Sequence, residues 1–406
     1  MRVVGPLAWC VAGALALAGV GAVNASGARP LGERLARALA VEGLDPTRIG
    51  ALVVDTQTGR AIFARNPGSS LVPASTEKLP VAYTALSVLG PSYRARTLVL
   101  GRGTQKGALW KGHLVLKGFG DPSLHANDLR ALARQLAARG IKRVSGSIIG
   151  DESYFDDERT APGWQPSFYK VWSPPLSALI VNRAFFRGTI VDRPATAAAR
   201  AFKAELKAAG IVVRRRAKAG RLKVAKAEQL ASISSPTVEQ LVAFMNTESD
   251  NFTAEMLLKL LGAEVHGAGT TAAGTRVVRA ALRDAGVPLV GVRIVDGSGL
   301  SSLDRLTARA VVDLIEAARA DTSIWPAFRG SLALAGVSGT LEDRMLKKPS
   351  RGAVRAKTGT TNLSSALSGI VKDRFIFSIL MNGESVPAWL ARPAQDRFAT
   401  ILARVA

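Results

Sequence analysis

The chain begins with a helix and strands and ends with strands and a helix. Gly50 to Asp55 and Arg60 to Arg65 read as a strand pair joined by the turn Thr56-Gln57-Thr58-Gly59, behind a short helix expected over Arg34 to Val41. At the other end Ala353 to Lys357, Ser365 to Val371 and Phe375 to Met381 read as three strands, closed by a helix from Ala388 to Val405. A lone hairpin is marginal in water and needs further strands or helices against it. The expected fold class is therefore α/β of the α+β type. The two ends share one antiparallel sheet flanked by helices, and the middle of the chain forms a smaller inserted α/β lobe.

That middle begins with strands around Thr97 to Gly101 and Ala108 to Lys117, linked by the polar turn Arg102 to Gly107. A helix follows at Asn127 to Arg139, a strand at Val144 to Ile149, a helix at Ala197 to Ala209 and a basic strand region at Arg214-Arg215-Arg216. From Pro236 onward helices dominate. The expected division is 1–28 as a leader, 29–92 with 234–406 as the sheet-bearing domain, and 93–233 as the inserted lobe.

The leader is apolar from Pro6 to Val23 after a basic Arg2, with small residues near Ala25 and Ala28, as in an export signal; retention as a membrane anchor is the alternative. Export to the periplasm or cell wall is the expected localisation. The only cysteine, Cys10, lies in that segment, so disulfides, a Cys-ligated zinc and an iron–sulfur cluster are excluded as means of holding the fold. His113, His125 and His266 lack metal-ligand spacing, and no cofactor or metal is expected. With Lys+Arg 54 against Asp+Glu 31 the net charge is +23, which attracts polyanions. Aromatics are only 6% and no nucleic-acid-binding motif appears, which speaks against nucleic acid and leaves an anionic membrane face or an anionic cell-wall polymer as the partner.

Three short motifs carry chemistry. Ser75-Thr76-Glu77-Lys78 is an S-x-x-K at a predicted helix start, where the three-residue spacing sets the hydroxyl and the amine on one face. A lysine held out of water among other cations loses its proton readily and can take the serine proton. A second match, Ser167-Phe168-Tyr169-Lys170, lies between prolines with no helix to orient it and reads as a loop. Ser249-Asp250-Asn251 supplies a hydroxyl to relay a proton to a leaving amine and an amide to hold a substrate backbone. Lys357-Thr358-Gly359 opens a core strand: Lys357 and Thr358 can bind a carboxylate, Gly359 permits close backbone approach, and the Thr360 N–H with that of Ser75 can form an oxyanion hole.

With these motifs in this order the chain resembles the penicillin-recognising serine acyl-transferases, and among them the D-alanyl-D-alanine carboxypeptidase/endopeptidase family of class C low-molecular-mass penicillin-binding proteins. The resemblance extends through Val72-Pro73-Ala74-Ser75, Gly120-Asp121-Pro122-Ser123-Leu124, Gly150-Asp151, Tyr154-Phe155-Asp156 and Pro162-Gly163-Trp164. It continues through Asn251-Phe252-Thr253-Ala254-Glu255-Met256-Leu257, Asp296-Gly297-Ser298-Gly299-Leu300-Ser301 and Ala335-Gly336-Val337-Ser338-Gly339-Thr340-Leu341. It implies a transpeptidase/β-lactamase-like core and a serine D,D-peptidase that forms an acyl-enzyme on Ser75. The substrates it implies are peptidoglycan stem peptides or cross-links, with β-lactams as covalent inhibitors. It also implies that Asp156 or Asp157 receives the free amino group of a diaminopimelate side chain; otherwise the two are solvated loop acids.

The sequence departs from the family in the interval from Ser75 to Ser249. It is several times that of a class A β-lactamase yet short for relatives with two inserted subdomains. Phe185 to Ala197 stands where the second insertion belongs. No E-x-x-x-N follows at the loop position a deacylating β-lactamase needs. The other open reading is a wall-binding or sensor protein with the same pocket and little turnover. Arg214 to Arg221 is either a solvated basic face or an attachment point for wall polymer.

Overall fold

The computed structural model describes residues 29–221 and 227–406. The leader expected over 1–28 lies outside the described residues. Among the described residues, no helix is long and apolar enough to cross a membrane.

One six-stranded antiparallel sheet joins the two ends, in the order Ala333–Leu334, Val354–Thr360, Ser364–Val371, Phe375–Asn382, Ile49–Asp55, Arg60–Arg65. Ile49 stands opposite Met381 and Asp55 opposite Phe375, so the first strand of the chain lies beside the last. Ala51 and Val53 face a layer with Phe377, Phe398 and Leu402, closed by the Leu31–Ala38 and Ala388–Val405 helices. Leu52 and Val54 face the opposite layer, with Ile376, Leu380 and the central helices. Successive side chains alternate across a strand. With both faces covered, all seven residues of Ile49–Asp55 are buried, which is why the segment reads as an unbroken apolar run.

The centre of the helical layer is Asn251–His266, which is buried on nearly every side. Asp250 caps it by accepting the Thr253 N–H at 2.8 Å, and Gly267 ends it in the left-handed region at φ 65°. The cap therefore also fixes the chain at Ser249 and Asn251.

The middle of the chain forms a second, seven-stranded sheet whose spine runs Lys218–Ala219, Ile148–Asp151, Leu109–Gly118, Arg96–Lys106, Glu228–Ser234. The Ala126–Ala138 and Pro194–Ala208 helices cover it around Trp110, Leu132 and Phe202. The chain passes between the sheets at one place, where Ala95 and Ser235 exchange hydrogen bonds: Ser235 N–H to the Ala95 carbonyl at 2.8 Å, and Ala95 N–H to Ser235 Oγ at 3.0 Å.

Several expectations need correction. Arg102 to Lys106 is strand, not turn: Gly103 and Gly112 face each other across the ladder, and the reversal is confined to Gly107 and Ala108. A Cβ on Gly103 would lie 2.0 Å from the Lys111 carbonyl, so glycine here permits close strand contact. Val144 to Ile149 divides into Arg143–Val144 and Ile148–Asp151. Arg214 to Arg216 falls between the Val212–Val213 and Lys218–Ala219 strands, in irregular chain. The first helix spans Leu31–Ala38, one turn earlier than its pattern suggests.

Candidate active site

Ser75 sits in a tight 3₁₀ turn, Ala74–Glu77, that runs into the Lys78–Thr84 helix; the expected α-helical first turn is thus a tighter one. Ala74 holds φ 48°, an uncommon conformation for a residue with a Cβ, and so turns the chain sharply just before the serine. Pro80 falls inside the next turn, close enough to the start that its missing N–H costs little.

Lys78 is fully buried, and its ammonium uses all three donors: Ser75 Oγ at 2.9 Å, Asn251 Oδ1 at 2.8 Å and the Ser298 carbonyl at 2.6 Å. Burial lowers its pKa to about 8, against the opposing charges of Asp296 and Asp250. Two of its three partners only accept. On losing a proton the amine keeps donating to Asn251 and Ser298, and its new lone pair is left facing the Ser75 hydroxyl. The geometry therefore aims the Lys78 lone pair at the Ser75 hydroxyl.

On the opposite wall, Lys357 is also fully buried and donates to Ser249 Oγ at 2.8 Å and to the Thr358 carbonyl at 2.9 Å. Burial, and then the charge of Lys78, hold its pKa well below the usual lysine value. With three donors and two protein acceptors, one N–H remains for a ligand. Ser249 holds φ 59°, turning its hydroxyl between the helices that flank it. Asn251 gives its Nδ2 to the Trp172 carbonyl at 3.0 Å, which settles which end of the amide faces Lys78. Thr358 Oγ1 donates to Thr340 Oγ1 at 2.9 Å.

Strand register leaves the Thr360 N–H free of a strand partner. The Thr361 N–H bonds the Ser364 carbonyl at 2.8 Å, while Thr360 stands opposite Ser365. Antiparallel alternation then turns the Thr360 N–H away from that partner. The outer strand covers only Arg355 and Ala356, so the N–H opens on the cleft. Two glycines bring the walls together: a Cβ on Gly359 would lie 2.8 Å from the Pro73 carbonyl, and one on Gly299, at φ 78°, would lie 1.9 Å from the Ala74 carbonyl.

Ser75, Ser249, Asn251, Thr358 and Thr360 line one cleft of about 480 Å³, with Trp172 and Arg392 at its rim. A smaller pocket of about 220 Å³ adjoins it, walled by Phe168, Trp172, Leu300 and Leu363, with no charged side chain.

Beneath Lys78 lie four carboxyl side chains with no solvent exposure: Glu77, Glu255, Asp296 and Asp304. Asp296 accepts the N–H groups of Gly299 at 2.7 Å and Ser301 at 2.9 Å and the Trp164 indole N–H at 2.8 Å. Glu255 Oε1 accepts those of Gly297 at 3.0 Å and Ser298 at 2.8 Å. Together they fix the loop whose Ser298 carbonyl meets Lys78. Burial raises the pKa of Glu255 to about 8, with the Asp296 charge adding to it, and pushes Glu77 and Asp304 well above the carboxylate range. Such acids hold their protons at neutral pH, which relieves the crowding of like charge.

Of the expected site residues, Ser75, Lys78, Ser249, Asn251, Lys357, Thr358, Gly359 and Thr360 come together. Asp156 does not. Its Oδ1 lies 2.5 Å from Nζ of fully buried Lys259, and it lines a separate pocket beside Gly220 and Arg221. The structure thus gives Asp156 a buried cation of the protein itself as a partner. Ser167 lies outside the cleft: Lys170 holds φ 66° and pairs with Asp192 at 2.7 Å. The sequence reading missed Glu255 and Asp296 as a pair. It also missed Arg183, whose guanidinium grips Asp250 at 2.7 and 3.0 Å, because these partners lie far apart along the chain. Among the described residues, no cluster of His, Cys, Asp and Glu is arranged to hold a metal ion.

The D-Ala-D-Ala carboxypeptidase 3 (S13) family profile matches residues 31–193 and 184–405. A D-alanyl-D-alanine carboxypeptidase of Actinomadura sp. (strain R39) is 32% identical over 94% of this chain and 86% of its own. A carboxypeptidase of Mycobacterium tuberculosis is 31% identical over 95% of this chain and 87% of its own. In fold the chain is similar to penicillin binding protein 4 from Haemophilus influenzae, with a TM-score of 0.79 at 20% identity, covering 92% of this chain and 98% of that one.

Proposed function

We propose that this chain, which belongs to the D-Ala-D-Ala carboxypeptidase (S13) family, is a serine D,D-peptidase that removes terminal D-Ala from peptidoglycan stem peptides or cuts their cross-links. The observation that carries the reading is the placement of Lys78 between the Ser75 hydroxyl and two groups that can only accept. The neutral amine takes the Ser75 proton as Oγ attacks the carbonyl carbon of the scissile D-Ala–D-Ala bond. The Ser75 and Thr360 N–H groups receive the negative charge that develops on the carbonyl oxygen. Lys78 then gives that proton up through the Ser249 hydroxyl, held by Lys357, to the leaving amine, so that Ser249 stays protonated and Lys78 is neutral again as the C–N bond breaks to leave an ester on Ser75. Lys357 and Thr358 bind the terminal carboxylate of the leaving D-Ala. Water then attacks the ester, its proton returns through Lys78, and Ser75 is restored. β-Lactams that carry a carboxylate acylate Ser75 in the same way and leave slowly.

In this reading residues 93–233 form an inserted lobe that contributes to the cleft through Trp172 and Arg183. The leader 1–28 directs export to the periplasm or wall, or anchors the protein there. Arg214 to Arg216 is one attachment point for anionic wall polymer.

Release of D-Ala from a pentapeptide stem, with a mass shift on the Ser75 peptide after penicillin treatment, tests the assignment. Both vanish in Ser75→Ala and both persist in Ser167→Ala. Labelling without D-Ala release would instead mark a wall-binding or sensor protein.

A further inference from the structure

A further pocket of about 450 Å³ opens at the N-terminal end of the strand that carries Lys357. It lies between the 348–353 loop, the start of Val354–Thr360, the end of Ser364–Val371 and the short Trp325–Ser331 helix. Its charged lining is Arg329, Lys348, Arg351, Arg355 and Lys372, against the single carboxylate of Asp373.

The charges are not balanced within the pocket. Arg329 spends its fork on Asp373, at 2.7 Å for both bonds. Lys372 makes one long bond, 3.4 Å, to the Ala406 carbonyl. Lys348, Arg351 and Arg355 are neither hydrogen-bonded through their side chains nor ion-paired with any described residue. Arg355 is half-buried beside Arg329, and burial together with that like charge lowers its pKa. Concentrating cations this way costs stability without a counter-ion. A guanidinium fork matches the oxygens of a phosphate, and two free forks with two ammonium groups exceed what one carboxylate neutralises. The pocket is also placed to matter: Arg355 and Lys357 lie two residues apart on one face of a strand, a separation of about 7 Å.

We propose that this pocket binds phosphodiester groups of an anionic polymer and so holds the catalytic cleft against it. The site is separate from the cleft and does not rest on the acyl-transfer reading.

The test uses the whole protein and a triple variant, Lys348→Gln/Arg351→Gln/Lys372→Gln, which leaves the Arg329–Asp373 pair intact. Binding of a glycerol-phosphate oligomer is measured by titration at low and physiological salt, with inorganic phosphate and oligoglutamate of equal length as the comparison ligands. The wild type binds the oligomer more tightly than either comparison ligand. The triple variant binds it about tenfold more weakly or worse, with a shallower salt dependence. Arg214→Gln/Arg215→Gln/Arg216→Gln keeps most of the affinity. Thermal melting and penicillin labelling of Ser75, unchanged in the triple variant, show that the fold and the cleft survive. Equal affinity of the wild type and the triple variant would overturn the proposal. So would inorganic phosphate binding as tightly as the oligomer, which marks a site for the free ion, or oligoglutamate doing so, which marks charge without phosphate recognition. D-Ala release, followed in parallel, fails only if the catalytic reading is wrong.

Discussion

Lys78 and Lys357 enter the cleft from opposite walls, each fully buried and each within 2.9 Å of a serine hydroxyl. Two buried ammonium groups so placed disfavour one another, and the charge of Lys78 is one cause of the lowered pKa of Lys357. The arrangement favours the neutral form of one of them until a substrate carboxylate arrives beside Lys357. In the proposed reaction, substrate binding lets Lys357 keep its charge while Lys78 serves as base.

Acylation should accordingly follow the neutral fraction of Lys78. Its lowered pKa means that the base form grows as pH rises through about 8, so the rate of penicillin acylation climbs tenfold per pH unit below that point and levels above it. Stopped-flow acylation from pH 5.5 to 9.5 measures the limb. A flat profile would remove Lys78 as the proton acceptor.

Lys357→Ala should discriminate between ligands. Losing a charge-assisted hydrogen bond costs about 1.5–3 kcal/mol, roughly 10- to 100-fold in kcat/KM, for peptides and β-lactams with a free carboxylate. Esterified or amidated analogues, already deprived of that contact, should lose far less. Equal losses for the acid and the amide would deny Lys357 the carboxylate.

The buried acids should differ sharply on neutralisation. Glu255 holds a proton at neutral pH and accepts both N–H groups through one oxygen, while Oε2 has no partner. Glu255→Gln is therefore expected to acylate within about twofold of wild type at pH 7. Asp296 accepts through both oxygens, so Asp296→Asn turns a donor toward a donor. It should lose about 1–3 kcal/mol of stability and move the acid limb of acylation to lower pH, since Asp296 is the chief charge that supports protonated Lys78. Thermal melts and the same pH series separate the two variants.

Arg183→Ala should loosen the loop that carries Ser249 and Asn251. Burial raises the pKa of Asp250, but the Arg183 fork outweighs it and the net direction is down. The guanidinium is 39% exposed, so its loss costs only about 1 kcal/mol of stability. The expected signature is a fall in kcat of a few fold with little change in KM. Arg183→Lys, which keeps the charge and loses the fork, should restore stability better than turnover.

The sequence disclosed those parts of the molecule whose signal is local. Strands such as Phe375–Asn382 show as apolar runs, and the S-x-x-K, S-x-N and K-T-G triplets stay recognisable because each one's chemistry depends on residues three or fewer apart. Partners across long separations left no such trace. Arg183 and Asp250, Asp156 and Lys259, and Glu255 with the Ser298 N–H each meet through the tertiary fold alone. The partner of Asp156 stayed hidden because an exposed-looking acid in a loop gives no hint of a buried lysine on a helix a hundred residues later. Gly103 and Gly112 misled in another way, since glycine in a polar run signals a turn whether it breaks a strand or packs one.

The pairing of Ile49–Asp55 with Phe375–Asn382 also sets when the catalytic machinery comes into being. Thr360, Gly359 and Lys357 lie on a strand that packs directly on the Ser75 turn and is tied to the first strand of the sheet only through Ser364–Val371 and Phe375–Asn382. A ribosome that has released the nucleophile has therefore made a segment with neither its carboxylate-binding lysine nor its second oxyanion donor. Pairings that span nearly the whole chain form slowly and late. A chain that stops short of the C-terminal strands is therefore expected to carry Ser75 and Lys78 without Lys357 or Thr360 and to release no D-Ala.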